Sequence, residues 1–246
     1  MQNQYDPRTT TTGIDPAISV GVPRAARDAG LRTYMLKVYN YMASGVLLTG
    51  IVAMILAQTG VAEAIFFNGG ILKWVVIFAP LVMIMIMGAR MQRMSTSSMQ
   101  AFFWAFAGLM GVSMSVIPLI YSGSSIATTF FATAAAFLSL SLYGYTTKKD
   151  LSGFGTFLIM GVVGLFVVMI ANMFIQSTGL SLAISAIGVL LFAGLTVYDT
   201  QKIKSIYAHV AGTDMMGKTA IMGALTLYLD FINMFQFLLS FMGSRD

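Results

Sequence analysis

Two acidic residues stand where acids are rarely found. Asp230 lies in Thr226-Leu227-Tyr228-Leu229-Asp230-Phe231-Ile232-Asn233, near the centre of a long apolar run. Thr226, four residues before it, and Asn233, three after, fall on its face if the run is helical. A charge at that depth in a bilayer costs at least about 2.5–3.5 kcal/mol, so such residues are rare and usually functional. Asp199 lies in Val197-Tyr198-Asp199-Thr200-Gln201-Lys202, close to the end of the preceding apolar run. Its plainest reading is an interfacial acid paired with Lys202 three residues on. Depth argues for more: a helix continuing to Ile206 puts Asp199 about 10 Å inside, and one beginning at Ala220 puts Asp230 about 15 Å inside. The two carboxylates are therefore expected to face each other across consecutive helices. Carboxylates sharing a low-dielectric site cannot both ionise cheaply, so they hold one proton between them and titrate as a unit. That chemistry serves a pH switch, a proton relay, a cation site or an aspartyl protease.

The rest of the chain is what must position them. Of 246 residues, 57% are hydrophobic and only 9% are charged, against roughly 25% charged in a soluble domain. With about 20 apolar residues needed per membrane helix, this composition excludes a soluble globular domain, a secreted disulfide scaffold and a disordered chain. The absence of cysteine removes disulfides, thiol catalysis and iron–sulfur sites, and the single histidine, His209, builds no His-rich metal site. The formal charge of +5 is not a nucleic-acid signature, because no basic cluster is interleaved with aromatics. No nucleic-acid partner and no cofactor are expected. The surrounding partner is membrane lipid.

Seven apolar stretches predict seven spans: 38–58, 71–88, 101–121, 126–143, 155–174, 180–198 with a polar continuation, and 220–242. Residues 1–30, with four consecutive threonines and prolines at 7, 16 and 23, read as a flexible cytoplasmic tail, and 31–243 as the transmembrane domain. No apolar stretch of signal-peptide type follows the first residues. With seven spans, twelve of the fourteen Lys and Arg residues fall on one side, and only Lys73 and Arg245 on the other. The bias of basic residues toward the cytoplasm then sets the N-terminus inside. Removing any span before the last would scatter basic loops to both sides. The expected fold is an all-α, polytopic seven-transmembrane-helix bundle. Pro80 and Pro118 are expected to kink their helices, and Gly161 and Gly164 to permit close helix packing. The methionines and phenylalanines read as lipid-facing and core filler.

The segment Tyr228-Leu229-Asp230-Phe231-Ile232-Asn233 with its Phe/Leu-rich continuation resembles the last-helix signature of the Bax inhibitor-1 (transmembrane Bax inhibitor motif) family. Val197-Tyr198-Asp199-Thr200-Gln201-Lys202-Ile203 is similar to that family's Tyr-Asp-x-x-x-Ile segment, and Lys148-Lys149-Asp150-Leu151 to its loop after the fourth helix. The resemblance covers about residues 30–243, and the short loops look like those of a bacterial, inner-membrane member. It implies a pH-sensitive passive calcium leak, not an enzyme, in which Asp199 and Asp230 share a proton, sense pH and ligate Ca2+ transiently. It also implies a latch between a basic residue ending the second helix and the aspartate of the sixth. Arg90 matches that role best, with Arg93 as rival. Some relatives carry an acid within the second helix, and residues 71–88 contain none. Ca2+ and H+ are then the expected cargo and signal.

Two other classes compete. An intramembrane aspartyl protease also places a Tyr-Asp and a second Asp on consecutive helices. Its Gly-x-Gly-Asp and later Pro-Ala-Leu are missing here: Asp230 follows Leu227-Tyr228-Leu229, and no proline follows Pro118. A membrane regulatory protein without transport, acting in stress protection or on a membrane-anchored AAA protease, is the other class the resemblance implies, with residues 1–30 as a handle for the partner.

Overall fold

The computed structural model describes residues 24–244. Every regular element among them is helical: α1 (Arg24–Gln58), α2 (Val61–Phe66), α3 (Leu72–Arg90), α4 (Thr96–Met114), a 3-10 turn (Ile117–Leu119), α5 (Gly123–Thr146), α6 (Ser152–Ile175), α7 (Thr178–Val210) and α8 (Met215–Met242). All but α2 are long and apolar enough to cross a bilayer, giving seven spans. The chain is an all-helical, multi-pass membrane protein.

Helix α8 is the axis. It packs most extensively on α7, then on α1 and α5, while α3 rests chiefly on α4, and α6 on α7. The order follows from side-chain size. Ala220, Gly223 and Ala224 near the start of α8 are buried, and a Cβ on Gly223 would sit 3.1 Å from the Ile203 side chain of α7. Small residues let helices approach where no hydrophobic effect drives them together. Gly144 of α5 is tighter still, because a Cβ there would lie 2.4 Å from the Val197 carbonyl oxygen of α7. That approach fixes α5 against the stretch of α7 that carries Asp199. Gly161 performs the packing role expected of it, against Leu191, whereas Gly164 faces open space.

The peripheral helices are different. Only Val76, Pro80 and Met87 of α3 are buried. Trp74, Val75, Phe78, Leu81, Val82 and Met85 are all roughly half exposed or more, as lipid-facing residues should be. The two ends of the bundle also differ. One end carries the basic residues that close α3, link α5 to α6 and link α7 to α8. The other end, where α1, α4, α6 and α8 finish, is nearly uncharged.

Two expectations need correction. Residues 24–30 are not tail: α1 begins at Arg24, directly after Pro23, because Arg24-Ala25-Ala26-Arg27 are strong helix formers. The remainder of the proposed tail lies outside the described residues. Pro118 does not kink the third span but ends it, since α4 stops at Met114 and the chain tightens into the 3-10 turn that holds the proline. Pro80 does lie inside α3.

Candidate functional site

Asp199 on α7 and Asp230 on α8 are both buried, 8% and 3% exposed. Their carboxyl groups lie within side-chain hydrogen-bonding reach of each other. The sequence spacing predicts this pairing, and the geometry brings the two together. Measured from the basic end, both sit deeper than the apolar runs imply, because their helices extend through the polar ends: Asp199 stands 11 residues before the end of α7, about 16 Å, and Asp230 15 residues after the start of α8, about 22 Å.

The surroundings hold few donors. Asp230 Oδ2 is buried without a hydrogen-bond partner among the described residues. Thr226 and Asn233, on the same face as Asp230, bond to their own helix: Thr226 Oγ1 donates to the Met222 carbonyl at 3.1 Å and Asn233 Nδ2 to the Leu229 carbonyl at 2.8 Å. Lys202 acts electrostatically on Asp199 without forming an ion pair with it, so Asp199 is not the interfacial acid of its plainest reading, and the Lys202 Nζ stands 5.8 Å from the centre of the Tyr198 ring. Arg90 is exposed at the end of α3, so the latch partner proposed for Asp199 stands on a helix that rests chiefly on α4. Among the described residues no group of three His, Cys, Asp or Glu side chains is placed to hold a metal ion. The acidic ligands the pair offers a cation are these two carboxylates.

Two closed hydrogen-bond chains frame the pair, and sequence reading assigned neither. Beside Asp199, Thr200 Oγ1 pairs with Ser141 Oγ at 3.0 Å, and Ser141 Oγ with Tyr39 Oη at 2.6 Å, tying α7 to α5 and α1. Beside Asp230, Tyr228 Oη pairs with Thr49 Oγ1 at 2.6 Å, and Thr49 Oγ1 donates to the Ala107 carbonyl at 2.8 Å, tying α8 to α1 and α4. The signal was present in the residues flanking each aspartate, Thr200 and the Tyr of Tyr-Leu-Asp. Their partners lie more than fifty residues away, so nothing local reveals them.

The basic end is stapled by backbone contacts. Gln201 clamps the α5–α6 loop by accepting from Leu151 N–H at 3.0 Å and donating to the Lys149 carbonyl at 2.7 Å. Lys204 Nζ donates to the Tyr145 carbonyl at 2.6 Å, and Lys218 Nζ to the Gln92 carbonyl at 3.3 Å. In the same loop Ser152 donates to Asp150 Oδ1 from its hydroxyl at 2.6 Å and its backbone N–H at 2.9 Å. These bonds hold the Asp150 carboxyl below its ordinary range.

Comparison with known proteins adds the following. The sequence profile of the family described as inhibitor of apoptosis-promoting Bax1 matches residues 31–246. An uncharacterized protein of Rickettsia prowazekii is 47% identical over 219 residues, covering 89% of this chain and 92% of the relative. One of Caulobacter vibrioides is 46% identical over 227 residues, covering 89% and 91%. The inner membrane protein YbhL of Escherichia coli is 41% identical over 219 residues, covering 88% and 94%.

Proposed function

Because this chain belongs to the family of inhibitors of apoptosis-promoting Bax1, we propose that it is a pH-sensitive passive calcium leak of a bacterial inner membrane, gated by Asp199 and Asp230. The basic end of the bundle is the cytoplasmic one, by the usual bias of Lys and Arg. The observation that carries the reading is the buried carboxyl pair, with an Asp230 oxygen facing no donor.

A buried acceptor without a donor is costly, and two negative charges at hydrogen-bonding distance in low dielectric are costlier still. A proton shared between the carboxyls removes both costs. Loss of that proton leaves two outcomes: the helices separate, or a cation takes the proton's place. Ca2+ is a hard ion that binds carboxylate oxygen, and it prefers six to eight ligands. Two carboxylates therefore make a transit site, from which a permeant ion can leave as well as enter. The element suited to open the cytoplasmic side is α3, which carries Pro80 and buries few side chains. Arg90, at its end, latches to Asp199 when α3 swings onto α7. In the described arrangement Lys202 is the cation acting on Asp199.

The test is Ca2+ flux into proteoliposomes from about pH 5 to 8, the range where shared carboxyl protons titrate. The unmodified chain should carry flux that depends on pH, and Asp230→Asn and Asp199→Asn should each abolish the dependence. An unmodified chain with no flux above protein-free vesicles at any pH overturns the leak. The regulatory reading, with a membrane-anchored protease as partner, then replaces it.

A further inference from the structure

The half of the bundle beyond Asp230, toward the nearly uncharged end, contains three cavities. One of about 380 Å³ lies between α3, α4 and α8, beside Ser113 and Gln236. The other two differ most in character. One, of about 100 Å³, lies between α1, α5 and α8 and is walled by Phe130, Phe231, Ile232 and Phe235. Phe130 meets Phe231 edge-on at 5.6 Å and Phe235 at 6.4 Å. This side of α8 is dry and aromatic. The other cavity, of about 410 Å³, is a crevice between α6, α7 and α8. Six polar side chains line it: Asn172, Ser181, Ser185, Asn233, Gln236 and Ser240. None of its lining residues is titratable.

The polar residues are ordered along α8. Counting from Asp230, Asn233, Gln236 and Ser240 follow at three, six and ten residues, which keeps them within one broad stripe of a 3.6-residue helix. Ser240 is two residues from the end of α8, about 3 Å, and Asn233 nine residues from it, about 13 Å. Ser185 Oγ donates to Ser240 Oγ at 3.0 Å, and Asn172 Nδ2 to Ser181 Oγ at 2.8 Å, so α7 and α6 present matching groups. Neither the Gln236 amide nor Asn233 Oδ1 has a hydrogen-bond partner among the described residues. Amide groups left bare in hydrocarbon are costly, and water resolves the cost. A space of 410 Å³ holds about a dozen waters at roughly 30 Å³ each.

We propose that the crevice between α6, α7 and α8 is a hydrated side vestibule, carrying water and small cations from the nearly uncharged face down to Asn233, one helical turn from Asp230. Its role as a route to the carboxyl pair rests on the leak reading above, but its hydration does not. The apolar cavity walled by Phe130, Phe231 and Phe235 gives no such route.

The chain has no cysteine, so single cysteines report without a background. Ser181→Cys, Ser185→Cys and Asn233→Cys are placed in proteoliposomes and treated with a charged, water-soluble methanethiosulfonate that reacts with ionised thiol. Ile187→Cys and Leu190→Cys serve as controls, because both parent side chains are on α7 and exposed to lipid, by 51% and 71%. The crevice variants should react at least about tenfold faster than the controls, with rates falling from Ser181 to Ser185 to Asn233 as depth increases. Rates at Ser185→Cys and Asn233→Cys no faster than at Ile187→Cys overturn the vestibule. Ca2+ flux is measured on the same vesicles. Fast labelling in a chain without flux upholds the vestibule and sinks the leak, whereas flux with unlabelled crevice cysteines upholds the leak and sinks the vestibule.

Discussion

Tyr228 and Asp230 stand two residues apart on α8, both buried, in surroundings that treat polar atoms in opposite ways. The Tyr228 hydroxyl ends a chain in which every member is satisfied, through Thr49 to the Ala107 carbonyl. Its ring is held edge-on by Phe103 and Phe106, at 6.4 and 5.5 Å. Asp230 meets another carboxyl and leaves one oxygen with no donor. The closed centre joins three helices and has no vacancy for a proton or an ion. The open centre is incomplete without one. One helix therefore carries a satisfied joint and an unsatisfied carboxyl separated by less than a turn, one network closed and the other left short of a donor.

The largest expected break in that comparison is Asp230→Asn. The amide supplies the missing donor toward Asp199, so the helix pair stays folded, while the shared proton disappears. Ca2+ flux across about pH 5–8 should flatten to within about twofold, with thermal stability in detergent equal to or above the parent, since removal of a buried acid relieves desolvation. A variant that keeps the parent pH profile denies Asp230 its role. A variant that unfolds shows that the carboxyl was structural, like its neighbour.

Gly144→Val comes next and attacks the framing. The added side chain must displace the Val197 carbonyl, 2.4 Å from the Cβ position, and push α5 off the Tyr39–Ser141–Thr200 chain. Overpacking of this kind costs about 1–3 kcal/mol, read as a lowered midpoint of thermal or denaturant unfolding. Gly164→Val, in open space, is the matched control and should change stability little. Equal losses at the two positions would remove the close approach as the cause.

Tyr228→Phe is smaller and sharpens the contrast directly. Thr49 keeps its bond to Ala107, and one hydrogen bond is lost, worth about 0.6–1.5 kcal/mol. Stability should drop by that amount while the pH profile of flux keeps its shape. A changed profile would mean that the closed network and the open one are coupled.

The sequence carried this contrast only in part. Seven spans were legible because hydrocarbon demands long apolar runs and the basic residues settle on alternate breaks. Asp199 and Asp230 were legible because a charge inside such a run stands out. The polar helix ends were not: α1 starts fourteen residues before Val38, and hydropathy is silent once a helix leaves the apolar layer. Where the hydrogen bonds of Thr226 and Asn233 go was not legible from their shared face, since short polar side chains in a helix find their nearest acceptor at the carbonyl four residues back. The cation nearest in sequence, Lys202, is the one acting electrostatically on Asp199, whereas Arg90, the latch the family resemblance implies, belongs to a lightly packed helix whose position no spacing in the chain determines.

The smallest expected effect lies outside the membrane, at Asp150, and tests the same principle with the sign reversed. Here a carboxylate is fully supplied with donors, from Ser152 hydroxyl and N–H at the start of α6, where the helix dipole also favours negative charge. Its carboxyl therefore titrates below the ordinary value of 3.8. A group bound more tightly as the anion in the folded state contributes stability above its unfolded pKa, and loses it as pH falls through the folded one. Asp150→Asn should thus lower the unfolding temperature slightly at pH 7, with a deficit that shrinks as pH falls below the unfolded value of about 3.9 and vanishes once the folded carboxyl is protonated. Comparing variant with parent at each pH cancels the titration of Asp199 and Asp230, which both proteins share. A deficit that persists unchanged in acid would assign the loss to packing of the loop, and the donors around Asp150 would then be geometry without electrostatic consequence.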